Sequence, residues 1–303
     1  MSTISPGESW RIAAQRAGLL EALAAKKQAQ AAPLEREMSP EERAEECIAW
    51  IERYCKLLSD KGGGIIPFAL FDYQQDFIRS FWTHREIICL KARQLGMTET
   101  VAAIAVYCAI TFSGWTIILL SKDQDAANEV LSKCRISYDY LPDDVKVPVV
   151  STTITSSLRL VNRSRIIPKP TSPGAGRSFN AQVLVMDEVA HMMWADQVYA
   201  AASPVARSAG NRIVALSTAK GVGNLFHRQW TLAQAGEGMY PIFLPWYIRP
   251  GRDAAWLSAA TRGYEKWQTA QELPTTPEEA FVLSGRPRFE VPLGWRGMCY
   301  SPA

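Results

Sequence analysis

Three short segments hold the side chains whose types and spacing could do chemistry. The first, Lys91-Ala92-Arg93-Gln94-Leu95-Gly96-Met97-Thr98, has the spacing of a phosphate-binding loop, G-x-x-x-x-G-K-[ST]. Lys91 stands where the first glycine is usual, and Met97 where the lysine is usual. Such loops work because successive backbone N–H groups and a helix N-terminus surround the phosphates. Gly96 lets the backbone approach closely, and Thr98 offers the hydroxyl that these loops give to Mg²⁺. The missing piece is a cation for the terminal phosphates. The four-carbon stem of Lys91 starts at a strand end and could reach them from the other side of the loop. The competing reading is a plain strand-to-helix turn with Lys91 and Arg93 in solvent.

The second segment, "AQVLVMDEV", sets Asp187 and Glu188 at the end of an apolar strand. An acid placed there holds Mg²⁺, and its neighbour can polarise an attacking water. Two adjacent carboxylates after a buried strand are unfavourable unless a cation or the surface receives them. Capping of the next helix is the other use they could have. The third segment, "ALSTA", is an apolar strand ending in two hydroxyls, Ser217 and Thr218, a polar strand end suited to sensing a γ-phosphate.

These side chains must be held by strands that deliver them to one edge. "EIICL" runs into the loop, and "TETVAAIAVYCAI" leaves it as a helix apolar on nearly all sides, hence buried. "WTIILLS", "AQVLVMDE", "RIVALSTA" and "YPIFLPW" read as further buried strands, with "DQDAANEVLSKCRISYDYL" as a helix between the first two. "LRLVNRSRIIPKP" reads as a hairpin turning near Asn162-Arg163-Ser164. The alternation predicts a largely parallel sheet with helices on both faces. Ahead of it, Ser39 and Glu42 form a capping box with Pro40 in the first turn. Cys47, Ile48, Ile51, Tyr54, Cys55 and Leu58 then share a helical face, ended by the glycines at 62–64. Residues 1–38 predict a helical or partly disordered arm, and the strand–helix pattern fades after about residue 248.

The 303 residues, 48% hydrophobic and 21% charged, suit a globular chain with one large domain and appendages. No apolar run approaches the roughly 18 residues of a membrane span. The N-terminus lacks the basic-then-apolar layout of a signal peptide, so a cytoplasmic site of action is expected. The six cysteines show no metal-ligand spacing and read as small buried hydrophobes; with only three histidines besides, a zinc site is not expected. A net charge of +3 permits nucleic-acid contact without arguing for it.

Taken as a set, in this order and spacing, the segments resemble the ATPase portion of the large terminase subunit, the motor that packages DNA into tailed-phage capsids. "FDYQQDFI" is similar to that family's adenine-recognition motif, "LKARQLGMT" to its Walker A loop, "VLVMDE" to its Walker B strand and "STA" to its coupling motif. "TSPGAGRSFN" and "ELPTTPEEAFVLSGRPRFE" are also terminase-like, so the resemblance spans about residues 65–290. Some members carry the loop lysine at the first position, which Lys91 matches.

The resemblance implies an α/β fold of the additional-strand P-loop NTPase type, with a doubly wound, mostly parallel sheet. Residues 1–38 would be the N-terminal arm, 39–248 the ATPase core with its leading helix, and 249–303 a C-terminal lid-like segment. It implies ATP and Mg²⁺ as cofactors. Gln74 would read the adenine edge, with Phe71 and Tyr73 framing the base. Residues Lys91, Ala92, Arg93, Gln94, Leu95, Gly96, Met97 and Thr98 would surround the phosphates, with Ser217 and Thr218 close by. Lys91 and Arg93 would supply charge, Thr98 and Asp187 would hold Mg²⁺, and Glu188 would orient or deprotonate water. Arg177 matches a family arginine that reaches a neighbouring subunit's nucleotide; the alternative is a loop arginine paired locally. His191, Met192, Met193 and Trp194 read as packing.

The implied work is translocation of double-stranded DNA into a procapsid, in the cytoplasm of a phage-infected bacterium at the procapsid portal. The implied partners are double-stranded DNA, the portal protein and the small terminase subunit. The chain would form a homo-oligomeric ring, a pentamer on the portal and a monomer in isolation, with no membrane involved. The sequence departs from the family at the nuclease domain into which members usually continue: Glu290 is the sole acid in the 18 residues after Gly285, so nuclease activity is not expected from this sequence, whether that domain is cut off or encoded separately. Two other readings stand beside this one, a helicase-like DNA-dependent ATPase and a non-hydrolysing nucleotide-binding assembly subunit whose loop decayed at Met97.

Overall fold

A computed structural model describes residues 38–59, 62–150, 156–172, 181–208 and 211–282. Most of the expected arm, Arg177 with most of its surrounding motif, and residues 283–303 lie outside the described residues.

Helix α1 (Pro40–Tyr54) begins as its capping box dictates. The Ser39 hydroxyl accepts from the Glu42 N–H at 3.2 Å, and the Glu42 carboxylate accepts from the Ser39 N–H at 3.0 Å. The helical periodicity that extends to Leu58 is overruled. The helix stops at Tyr54, and β1 (Lys56–Leu58) pairs antiparallel with β2 (Ile65–Pro67). Gly62 and Gly63 supply the positive φ angles, 153° and 71°, that reverse the chain, and the hairpin satisfies backbone groups that a longer helix would have left at its end. Leu58 is exposed as a result.

Helix α2 (Asp72–Thr83) leads into a seven-stranded sheet. Its strands are β3 (Glu86–Lys91), β4 (Thr116–Ser121), β5 (Leu158–Arg159), β6 (Arg165–Pro170), β7 (Val183–Asp187), β8 (Arg212–Ser217) and β9 (Tyr240–Leu244). The order is β5-β6-β4-β7-β8-β3-β9, parallel except at the β5–β6 hairpin, where Arg163 takes the positive φ of the turn. β8 lies between the loop strand β3 and the acidic strand β7, the extra strand expected of the fold class.

The helices between and after the strands are α3 (Met97–Thr111), α4 (Gln124–Asp139), α5 (Ala195–Ser208), α6 (Leu225–Gln234), α7 (Ala254–Ala260), α8 (Lys266–Glu272) and α9 (Pro277–Val282). Strand side chains alternate between two cores, as a period of two requires. Ile87, Cys89, Ile117, Leu119, Val183, Val185, Val214 and Leu216 pack with α1 to α4 on one face. Ile88, Leu90, Ile118, Leu120, Leu184, Met186, Ile213 and Ala215 pack with α5, α6 and α9 on the other. Buried on both faces, these strands read as continuous apolar runs. β9 departs from the expected burial. It sits at the sheet edge, pairs only with β3, and is mostly half-buried.

Candidate active site

Parallel registers bring the chemistry-bearing strand ends together. Leu90 pairs with Ser217 and Asp187 with Leu216, so Lys91, Asp187 and Ser217 leave the sheet on the same edge. Ligands of open α/β sheets bind at this carboxyl edge. Lys91 Nζ lies 2.9 Å from Glu188 Oε1. The Thr98 hydroxyl donates to Asp187 Oδ2 at 3.0 Å. Ser217 Oγ accepts from the Ala190 N–H at 3.1 Å and donates to Glu188 Oε2 at 3.4 Å. Glu188 adopts a left-handed backbone conformation, φ 59° and ψ 44°, uncommon for a side chain of its size. That kink departs from the strand at once and leaves its carboxylate between Lys91 and Ser217.

Charges here balance locally. Burial pulls the Lys91 ammonium down, but attraction to Glu188 and Asp187 outweighs it and the net shift is upward, so the cation is kept. Burial pushes Glu188 up, and Lys91 overcomes this to leave it below the usual carboxylate range. Asp187 is different. Burial pushes its carboxyl up to about 6, with Lys91 opposing and Glu188 adding to the rise. Its Oδ1 is buried with no hydrogen-bond partner, while Oδ2 takes the Thr98 hydroxyl. A buried carboxylate oxygen without a partner is unfavourable unless something positive meets it. The donor set fits Mg²⁺, which binds through one or two protein oxygens and completes its shell with waters and phosphate oxygens. Among the described residues no group of three or more His, Cys, Asp or Glu could cage a metal.

The loop between β3 and α3 is held from outside by its carbonyl groups. Gln74, 2% exposed, caps its own helix by accepting from the Phe71 N–H at 3.0 Å. Its Nε2 donates to the carbonyls of Leu95 at 3.3 Å and Gly96 at 3.2 Å, and the Tyr73 hydroxyl donates to Leu95 O at 2.8 Å. The φ of 70° at Gly96 favours glycine, and a Cβ there would lie 2.8 Å from Gln74 Nε2 and push that amide aside. On the other side, Arg249 donates to Gln94 O at 2.6 Å, and Arg252 to Gln94 O at 2.7 Å and Arg93 O at 3.1 Å. No acceptor among the described residues takes the N–H groups of Gln94, Leu95, Gly96, Met97, Thr98 or Glu99. They form an open row of donors running into the first turn of α3.

The structure distributes the sequence-predicted residues as follows. Lys91, Thr98, Asp187, Glu188 and Ser217 converge. Thr218 joins them through His191, whose Nε2 is 3.1 Å from Thr218 Oγ1 and 4.0 Å from Glu188 Oε2. Arg93 turns away: its guanidinium pairs with Glu272 at 3.1 Å and its N–H donates to Glu272 O at 2.9 Å. Met97, 1% exposed, packs in the core shared by α1 to α4 and does not face the loop. Ala92 and Leu95 are buried too. Phe71 and Tyr73 stack with ring centroids 5.6 Å apart beside the loop. Reading residues 191–194 as packing holds for Met192 and Trp194. It fails for Met193, which is 82% exposed, and for His191. Sequence reasoning also passed over Arg249 and Arg252, which lie more than 150 residues from the loop and carry no motif.

No family model matches the sequence. The fold matches solved ATPase domains of phage large terminases. The Thermus phage P74-26 large terminase ATPase domain superposes with a TM-score of 0.56 at 17% identity, over 78% of this chain and 98% of that one. The bacteriophage HK97 large terminase gives 0.56 at 16% identity, over 78% of this chain and 50% of its own. The large terminase of a thermophilic bacteriophage, in complex with ADP, gives 0.51 at 12% identity, over 63% and 48%. The likeness is one of fold, the α/β P-loop NTPase type with a mostly parallel central sheet. This chain spans about half the length of the latter two proteins.

Proposed function

We propose that this chain is the ATPase motor subunit of a viral terminase, coupling Mg²⁺-dependent ATP hydrolysis to translocation of double-stranded DNA into a procapsid. The observation that carries the reading is the pairing of the loop with the acidic strand end. Thr98 meets Asp187 at 3.0 Å and Lys91 meets Glu188 at 2.9 Å, on a fold shared with large terminase ATPase domains.

Phosphoryl transfer needs little covalent chemistry from a protein; positioning and charge neutralisation do most of it. The N–H row from Gln94 to Glu99 receives the phosphate oxygens. Lys91 exchanges Glu188 for the terminal phosphate, which frees the Glu188 carboxylate to orient water or take its proton for in-line attack. Thr98 and Asp187 would hold Mg²⁺, whose charge offsets that of the β- and γ-phosphates. Ser217 and Thr218 lie where loss of the γ-phosphate is felt at the end of β8. Phe71 and Tyr73 frame the adenine, and Gln74 reads its edge by exchanging loop carbonyls for the base. Arg93 contributes to phosphate binding on leaving Glu272.

Arg177 acts on a neighbouring subunit's nucleotide within a homo-oligomeric ring, pentameric on the portal, with the small terminase subunit and DNA as further partners. The N-terminal arm, ATPase core and lid-like segment divide at residues 38 and 248. The setting is the cytoplasm of an infected bacterium; no helix among the described residues is long and apolar enough to cross a membrane. A steady-state ATPase assay with and without DNA and portal protein tests the reading. We expect Mg²⁺-dependent turnover that DNA and portal stimulate and that Glu188→Gln removes. Nucleotide binding without turnover in every condition would point to an assembly subunit. Turnover accompanied by strand separation would point to a helicase.

A further inference from the structure

The segment after β9 reaches back to the loop with two arginines that no motif marks. We propose that Arg249 and Arg252 are positioning residues of the nucleotide site, holding the phosphate loop in its anion-receiving form by gripping the carbonyls of Arg93 and Gln94. This rests on the ATPase reading and extends the site into the lid-like segment.

Three observations support it. Gln94 is a non-glycine residue at φ 56°, a left-handed conformation that its Cβ disfavours. Its carbonyl is the one that receives both arginines, at 2.6 and 2.7 Å. Two guanidinium groups therefore converge on this one carbonyl oxygen. Second, a trans peptide points its C=O and the following N–H in opposite directions. Fixing the carbonyls of Arg93 and Gln94 against the arginines therefore turns the N–H groups of Gln94 and Leu95 away from them, into the donor row that has no acceptor among the described residues. Tyr73 does the same for the carbonyl of Leu95 from the other side. Third, the guanidinium groups are themselves braced. Arg249 lies 5.7 Å over the Phe71 ring, and Arg252 lies 4.2 Å over Trp256, which stacks on Trp246. Donors aimed in advance bind phosphate without the loop having to reorganise.

The test uses the whole chain and a fluorescent ADP as probe, read as a dissociation constant alongside ATPase kinetics. Arg249→Ala/Arg252→Ala should weaken ADP binding on the order of tenfold or more, since charge-assisted hydrogen bonds are lost. Arg249→Lys/Arg252→Lys keeps charge and bulk but loses the planar fork that shares a carbonyl, and should also bind weakly. Gln94→Gly should restore part of the affinity in either background, because glycine takes the left-handed conformation without strain. Merely structural arginines would give no such rescue. Wild-type affinity in the Lys pair would overturn the proposal in favour of charge alone, and wild-type affinity in a folded Ala pair would overturn it by leaving the arginines no part in binding. No rescue by Gln94→Gly in the Lys pair would overturn it as well. Failure of the unmodified chain to bind ADP would instead sink the ATPase reading itself.

Discussion

At the scale of single residues, the site depends on which cation meets which carboxylate. Lys91 is the buried cation of the loop, 6% exposed, and its partner is Glu188. Lys91→Ala should abolish hydrolysis, measured as phosphate release at saturating ATP. Met97→Ala should leave the chemistry largely intact at a temperature where the variant is folded. Its burial predicts a different penalty, a loss of about 2–5 kcal/mol of stability seen as a lower Tm, as for other large-to-small core changes. Equal losses of activity in the two variants, both folded, would reject this division of labour. The two acids should separate as well. Asp187→Asn removes the carboxylate with the unpartnered oxygen and should weaken Mg²⁺-dependent nucleotide binding. Glu188→Gln should still bind ATP and turn it over far more slowly; normal turnover would remove Glu188 from the catalytic role.

At the scale of elements, strand ends are joined by short side-chain bridges. His191 ends a single 3-10 turn, Val189–His191, and reaches Thr218 at the end of β8. His191→Ala should lower kcat about tenfold with little change in the KM for ATP. His191→Gln, which can still hydrogen-bond Thr218, should recover part of it. A change in KM alone would assign His191 to ground-state binding. Helix α2 illustrates a purely structural bridge. Arg212, at the start of β8, donates to the carbonyls of Phe81, Trp82 and His84 at the helix C-terminus and lies over the Phe81 and Trp82 rings. Arg212→Leu leaves those carbonyls without a donor and should cost about 1–3 kcal/mol. The predicted readout is a lower urea midpoint. Because α2 also carries Tyr73 and Gln74, loss of the tether should weaken ADP binding in proportion to the population in which α2 has come loose.

At the scale of the whole molecule, the proposed ring would complete each site from its neighbour. If Arg177 acts in trans, a dilute chain lacks a group worth roughly 10³–10⁵ in rate in phosphoryl-transfer enzymes. Specific activity should then climb with protein concentration or on a portal scaffold. Mixing Glu188→Gln with Arg177→Ala chains should partly restore activity, because some interfaces then pair an intact Arg177 with an intact Glu188. Mixed assemblies verified by native mass spectrometry yet still inactive would return Arg177 to a local role.

The sequence by itself determined the sheet and its edge. Short apolar runs such as "EIICL" and "VLVMDE", set between helical stretches, fit strands buried on both faces, and the residues that follow such strands emerge at the carboxyl edge. The spacing within residues 91–98 and the tandem acids 187–188 therefore identified the groups that meet there. Local signals failed where a remote partner decided. The helical face extending to Leu58 gave way to β2, and Arg93 turned to Glu272. Met97 is drawn into the core, and His191 is drawn onto Thr218. Arg249 and Arg252 serve the loop only because β9 lies beside β3, which places the chain after Leu244 next to Lys91. Periodicity and motif spacing record forces between residues near in sequence. A hydrogen bond from Arg249 to Gln94 depends on the strand order of the folded sheet, and only the tertiary structure sets that.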